Sequence, residues 1–348
     1  MPLPPLTGHE RVKTKLAGAH ASGKLPQALL LAGPRGVGKQ RLALWLAQLI
    51  HCEAPGKEPC GQCRPCRLVV SLQHPDVHWF VPVELSKRGG TSTGDAEKQV
   101  DLVADALAEE MAARREQPLY APVVGLASHP VASVRLLLKR LALTPALGKQ
   151  KVFIVGDAER LIPQLGTEVA ANALLKALEE PPADSVIIIT AADPNALLPT
   201  IMSRVVLVRV ARIADSDVTA FAQQTLGIGN KAELAQRVTA AEGCVGKLFA
   251  TGSGRPGQPA EDLAARFQEA PWLFALGQVP FQARGGFTDM LDALATRLRS
   301  EAKRGGDTEK LVEAIALVMD ARDLAQGNVN PQLLAAVLAE DLQVTRQS

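Results

Sequence analysis

The sequence predicts an α/β protein in which a parallel-sheet domain carries a cysteine-rich insert and is followed by purely helical domains. Three observations lead there. Short apolar runs rich in β-branched residues alternate with amphipathic helical segments. Four cysteines fall between Cys52 and Cys66. Strand-like runs cease after Val210, and helical periodicity takes over.

The apolar runs Ala28–Ala32, Val152–Val155 and Val186–Thr190 have the pattern of strands buried on both faces. Val77–Pro82 and Val205–Val208 read as further strands. Helices are predicted from Gly8-His-Glu10 to about His20, over Arg41–Ile50, and over Ser133–Leu143 with Val134, Leu137, Leu138 and Leu141 inward. Another runs from Thr167, as its cap, to Glu180, with Ala170, Leu174, Leu175 and Leu178 on one face. Pro181-Pro182 ends it, since proline lacks the amide N–H and biases its predecessor away from helix. A short helix near Pro199 ends at Ser203-Arg204.

At 348 residues the chain is long enough for two or three cores, and 47% apolar with 21% charged residues is ordinary globular composition. No run of 18 apolar residues and no charged-then-apolar leader is present, which argues against a membrane protein and for a cytoplasmic one. The net charge of +2 excludes little, but residues 1–50 hold seven basic side chains against one acid, Glu10. Such a face suits phosphates, although solvated surface accounts for most of it.

Gly33-Pro-Arg-Gly-Val-Gly-Lys39 lies between a predicted strand and helix, the context in which a glycine-rich turn cradles phosphates. Gly33, Gly36 and Gly38 free the backbone to turn its N–H groups inward, and Lys39 is placed to reach the phosphates. Gln40 stands where a hydroxyl would hold magnesium. Cys52, Cys60, Cys63 and Cys66, spaced Cys-x₇-Cys-x₂-Cys-x₂-Cys, supply four soft ligands for a structural zinc ion. Pro59, Gly61 and Pro65 suit the turns of such a module, and His51 and His74 stay open as alternatives to one ligand. Cys244 is expected to be a buried small residue.

Residues 84–128 are an insertion, with a polar loop over Ser86–Gly94 and helical spacing over Glu97–Arg115. A surface helical hairpin is the expectation and a partner-binding arm the alternative. Gly252–Pro259 has linker composition.

Three stretches have more specific wording: Asn172-Ala-Leu-Leu-Lys-Ala-Leu-Glu-Glu-Pro-Pro182, Pro199-Thr-Ile-Met-Ser-Arg204 and the Gly33–Lys39 turn. Together they resemble the clamp-loader subunits of bacterial DNA polymerase III, within the AAA+ superfamily, and among these the delta prime family. By motif the resemblance covers about residues 1–250. It implies an AAA+ P-loop domain over 1–210, with the zinc module at about 51–70 and the insertion at about 84–128. A three-helix lid over 211–252 (Asp215–Thr225, Lys231–Ala240, Gly243–Ala250) and a helical collar over 256–348 follow.

The same resemblance assigns roles. Asp157 matches the magnesium-binding acid of the Walker B pattern, but Ala158 replaces the catalytic glutamate. Glu159, one residue on, is expected to turn its side chain elsewhere. Gly246 stands where family ATPases carry a lid arginine, with Lys247 beside it. Gly33, Gly36, Gly38, Lys39 and Asp157 therefore form a degenerate nucleotide site, with ATP binding weak or absent and no intrinsic hydrolysis. Ser203-Arg204 matches the family's Ser-Arg-Cys motif with Val205 in place of the cysteine. That implies Arg204 as an arginine finger acting in trans. The implied role is a stator-like subunit of the DNA polymerase III holoenzyme, in a hetero-oligomeric ring with gamma/tau and delta subunits that loads the sliding clamp onto primed DNA. Two other readings stay open. One is an autonomous AAA+ ATPase, supported by Lys39 and Asp157 and opposed by Gln40, Ala158 and Gly246. The other is a zinc-dependent nucleic-acid-binding protein using Arg64 and Arg67.

Overall fold

A computed structural model describes residues 3–83, 96–119, 127–161, 169–250, 260–276, 284–305, 307–325 and 330–347. They fall in two compact units, the first within Met1–Val123 and Ala127–Ser253, the second within Gly254–Ser348.

The first unit opens with α1 (Glu10–Ala21), β1 (Ala28–Ala32), α2 (Lys39–His51), α3 (Arg64–Val70) and β2 (Val77–Phe80). It continues through α4 (Ala96–Glu116), α5 (Val131–Leu141), β3 (Lys151–Val155), α6 (Val169–Glu179), β4 (Ser185–Ala191), α7 (Pro199–Met202) and β5 (Val206–Arg209). The strands pair in parallel in the order β2-β3-β4-β1-β5. Every residue of β1, β3 and β4 is buried, as expected of apolar runs covered on both faces. Edge strand β5 is half open, with Val206 49% exposed. Ala32 pairs with Ala191 and Val155 with Ile189, so Gly33, Gly156 and Ala192 emerge along one carboxyl-end edge. In open parallel sheets that edge is where ligands bind.

The insertion does not form a hairpin among the described residues. Its helix α4 packs on α5 and buries Val100, Val103, Ala106 and Leu107 in the main core. A 21-residue helix with that apolar face gains more from joining an existing core than from standing off it. Buried Arg114 lies over the Trp79 ring, 4.4 Å from its centroid, and pairs with Glu110, fastening the helix to β2. The predicted loop at Ser86–Gly94, the cap at Thr167 and the linker at Gly252–Pro259 lie outside the described residues.

Three helices follow the sheet: α8 (Asp215–Leu226), α9 (Lys231–Ala241) and α10 (Lys247–Ala250). They enclose a separate small core built on Ile213, Val218, Phe221, Leu234, Val238 and Leu248. The third helix is shorter than the sequence suggested. Gly243 has φ +72°, and residues 243–246 form a turn instead of a helical start.

The second unit contains α11 (Ala260–Glu269), α12 (Pro271–Leu276), α13 (Arg284–Lys303), α14 (Thr308–Ala325) and α15 (Pro331–Gln347). Its own core includes Phe267, Phe287, Leu291, Leu294, Val318 and Leu338. Among the described residues no helix is long and apolar enough to cross a membrane.

A buried acid organises the approach to β3. Asp76, 2% exposed, accepts backbone N–H bonds from Ala146, Leu147 and Gly148 at 2.5, 2.8 and 2.7 Å. Burial alone would raise its pKa, but these amide donors outweigh it and hold the carboxyl below its ordinary 3.8. Asp76→Ala is expected to cost about 3 kcal/mol, because it strands three amides that bonded a charged acceptor. The pKa is depressed, so this stabilisation is complete above about pH 4 and fades as pH falls through the lower folded-state value. Urea unfolding of both chains at neutral and acid pH checks it. Equal midpoints at neutral pH would refute the role given to Asp76.

Candidate functional site

The Gly33–Lys39 turn joins β1 to α2, as the sequence indicates, at the sheet's carboxyl edge. Gly36 and Gly38 have φ +76° and +104°, values that favour glycine. Lys39 is buried, and its Nζ donates to the carbonyls of Gly33 and Pro34 at 2.7 and 2.9 Å. The ammonium thus satisfies the carbonyls of its own loop. Burial lowers its pKa, while the charges of Asp157 and Glu159 oppose that shift.

The segment between α9 and α10 closes over this loop. The Gly246 N–H donates to the Gly36 carbonyl at 2.8 Å. A Cβ on Gly246 would lie 2.6 Å from the Gly36 Cα, and one on Gly36 would lie 3.2 Å from the Gly246 Cα. Position 246 has no room for a side chain, and at position 36 a side chain would be both crowded and strained by the positive φ. On the loop's other flank His9, at φ 64°, bonds the Val37 carbonyl through Nε2 at 2.8 Å. Burial holds the His9 pKa below its ordinary value, favouring the neutral ring. The Gln40 carboxamide packs against Gly156, where an added Cβ would meet its Nε2 at 2.9 Å. Its Oε1 is buried with no hydrogen-bond partner among the described residues.

Asp157 follows β3 at φ 52°, its N–H donating to Thr190 Oγ1 at 3.1 Å. Ala158 is fully buried. The expectation for Glu159 needs correction. The chain enters a 3-10 turn at Ala158–Leu161, and Oε1 of Glu159 accepts from the Ala192 N–H at 3.3 Å, at the end of β4. The turn, unlike a continuing strand, swings position 159 back to the sheet's edge. Burial, then the Asp157 charge, raises the Glu159 pKa. The one-residue offset from the Walker B pattern concealed it.

The cysteines converge. The Sγ atoms of Cys52, Cys60, Cys63 and Cys66 all lie within 4.8 Å of one another. Cys52 caps the end of α2, and Cys63 and Cys66 sit at the start of α3, so two packed helices set the spacing. Pro65 lies in the first turn of α3, not in a hook turn as the sequence suggested; its missing N–H is harmless there. The Cys60 N–H donates to Cys52 Sγ at 3.2 Å and the Cys63 N–H to Cys60 Sγ at 3.4 Å. Amide donors at Cys63 and Gln62 lower the Cys60 pKa to about 6, whereas burial raises that of Cys66. Four sulfurs this close, with N–H groups aimed at them, fit a soft tetrahedral cation that relieves the repulsion of neighbouring thiolates. Neither histidine alternative belongs to the cluster: His51 and His74 pack on each other, ring centroids 4.0 Å apart. Lys13 links α1 to the module through Glu58, at 2.7 Å. Cys244 is fully buried, as expected.

Arg204 lies just past α7, away from the loop residues. Its Nε and Nη2 donate to Glu179 Oε1 at 2.9 and 2.5 Å, and its Nη1 donates to Thr200 O at 2.8 Å and Ser203 Oγ at 3.2 Å. Nothing in the sequence joins Glu179 to Arg204; only the packing of α6 beside α7 does so.

Fold and site together define an α/β protein with a glycine-rich turn at the edge of a parallel sheet and a separate cluster of four thiols close enough to hold a metal ion. The family model described as DNA polymerase III, delta subunit, matches residues 8–214, and the chain belongs to that family. Over 181 residues it is 34% identical to the DNA polymerase III subunit delta' of Pseudomonas aeruginosa, covering 51% of this chain and 41% of that protein. The Bacillus subtilis subunit delta' is 32% identical over 194 residues, covering 56% and 45%. The Mycobacterium tuberculosis subunit gamma/tau is 28% identical over 200 residues, covering 57% and 27%. The matched stretch spans less than half the length of each relative.

The Gly36–Gly246 approach leads to a prediction. Gly246→Ala is expected to destabilise the first unit by about 1–3 kcal/mol, the usual cost of forcing a methyl group into filled space. Thermal or urea unfolding measures it; an unchanged transition would mean the two backbones are not in contact in solution.

Proposed function

We propose that this chain is a clamp-loader subunit that does not hydrolyse ATP and that lends Arg204 to a nucleotide on a neighbouring subunit. Membership of the delta-subunit family and likeness to delta prime and gamma/tau subunits support the clamp-loader part. The partners would be gamma/tau and delta subunits in a ring, with the sliding clamp and primed DNA engaged through the complex. The first unit would serve as the AAA+ domain and its lid, residues 1–210 and 211–252, and residues 256–348 as a collar.

The observation that carries the non-hydrolysing part is the hydrogen bond from Gly246 to the Gly36 carbonyl. Phosphate loops bind anions through inward-facing N–H groups and a free lysine. Here a lid backbone lies on the loop, and Lys39 is spent on the loop's carbonyls. Phosphoryl transfer also needs magnesium ligands, a positioned water and a cation for the γ-phosphate. Position 40 offers an amide packed on Gly156, position 158 an alanine, and position 246 no side chain. One oxygen of the half-buried Glu159 accepts from the Ala192 amide, and the side chain lies near the charge of Asp157. The guanidinium of Arg204, planar and permanently charged, suits the oxygens of a neighbour's γ-phosphate.

The isolated chain is expected to show no steady-state ATP turnover. In a reconstituted complex, Arg204→Ala is expected to leave assembly intact and to lower clamp- and DNA-stimulated turnover severalfold. Arginine fingers contribute on the order of 10³–10⁵ at a single site, and the remaining sites dilute the loss. Turnover by the isolated chain, or a substituted complex that loads clamps at the original rate, would each overturn the corresponding half of the proposal.

The four-thiol site would hold one structural zinc ion through Cys52, Cys60, Cys63 and Cys66. A closed shell of four thiolates leaves zinc no open position, so its contribution is to folding. Metal analysis should give one zinc per chain. Chelation should loosen residues 51–70 at a cost on the order of several kcal/mol, seen as faster amide hydrogen exchange there. A folded module free of metal would sink the assignment.

A further inference from the structure

The Arg204 guanidinium is already engaged within its own chain. An arginine has five N–H donors in a fixed fork. Nε and Nη2 converge on one Glu179 oxygen, and both donors of Nη1 go to Thr200 O and Ser203 Oγ. One N–H, on Nη2, is left over. Gripping a phosphate with two parallel bonds requires two adjacent N–H groups on one edge, and neither edge has them free. The Glu179 carboxylate also stands beside the charge that a phosphate would use.

The contact is built to open. The side chains are 31% and 48% exposed at Arg204 and Glu179, so water competes for both. An exposed ion pair of this kind is worth only about 0.2–1 kcal/mol, little against a multiply charged phosphate. Glu179 closes the carboxyl end of α6, where a carboxylate meets the negative end of the helix dipole. Thr200 and Ser203 bond the same guanidinium from α7 and its cap. Thus α6 and α7 both hold the arginine, and a small shift of one against the other would release it.

We infer that Glu179 is a positioning residue for Arg204: it latches the guanidinium on its own subunit until a neighbour's phosphate displaces the carboxylate. The inference rests on the proposed action of Arg204 in trans and adds a restraint on it. Without the Glu179 charge, the arginine would be available before clamp and DNA engage the complex, and unstimulated turnover would rise.

The test uses the reconstituted complex with gamma/tau and delta subunits and measures ATP turnover with and without clamp and primed DNA. It compares the original chain, Glu179→Gln, Arg204→Ala and the double substitution. Glu179→Gln is expected to raise unstimulated turnover about 1.4- to fivefold, the free energy of an exposed ion pair expressed as a ratio. It should have no effect when Arg204→Ala is also present, since there is then nothing to release. In the isolated chain, the rate of Arg204 modification by phenylglyoxal, read by mass spectrometry, should rise with Glu179→Gln because the guanidinium loses its carboxylate. If Arg204→Ala lowers turnover but Glu179→Gln leaves unstimulated turnover and Arg204 reactivity unchanged or reduced, the latch is wrong and the in-trans role stands. If Glu179→Gln acts equally with Arg204 absent, its role is structural and the latch is likewise refuted. If Arg204→Ala changes nothing, the reading beneath fails, and the latch with it.

Discussion

Gly36 and Gly246, more than two hundred residues apart, approach so closely that a Cβ on Gly246 would lie 2.6 Å from the Gly36 Cα. The bond between them joins the turn after β1 to the turn before α10, and much of the surrounding geometry depends on it. The turn at residues 243–246 shortens the last helix of the small three-helix unit, and the Ile213 N–H bonds the Gly243 carbonyl alongside. His9 bonds the next stretch of the loop from the other side. A loop held on both flanks by backbone and imidazole keeps its shape without a ligand to order it. The Lys39 ammonium likewise bonds the loop's own carbonyls, at Gly33 and Pro34.

The sheet makes that arrangement possible. Its central strands are buried on both faces and end within two residues of one another, so the turns after β1, β3 and β4 crowd into a short stretch of edge. Of the two acids gathered there, Glu159 accepts from the Ala192 amide through one oxygen, and Asp157 acts on Lys39 through its charge. Both acids sit near the buried ammonium, which offsets part of its desolvation. What remains at the edge is a cluster of interacting charges with Lys39 turned toward its own loop.

The two other candidate features lie apart from that edge and are built differently. The cysteine module is anchored at its roots by α2 and α3, and its exposed half is organised by amide-to-sulfur bonds. Arg204 is held by side-chain bonds on an exposed surface, where each bond is weak and exchangeable. Rigid anchoring is what the proposed metal-bound module requires, and exchangeable anchoring is what the proposed in-trans role of Arg204 requires.

By itself the sequence determined the strands, most of the helices, the glycine turn and the grouping of four cysteines. These depend on local pattern: buried runs, apolar periodicity, positive-φ glycines and cysteine spacing are visible within a few residues. The clamp-loader resemblance was legible for the same reason, in contiguous wording such as Asn172–Pro182. Only the tertiary structure decided that Glu159 folds back to Ala192, that Gly246 lies on Gly36, that α4 joins the main core and that Glu179 holds Arg204. Each of these joins residues far apart in the chain, or depends on a turn whose direction no periodicity records. Gly246 illustrates the point: in the sequence it registers only as a missing arginine. In the fold it is the one residue type that lets two backbones meet, because any Cβ there would sit inside the contact distance of the Gly36 main chain.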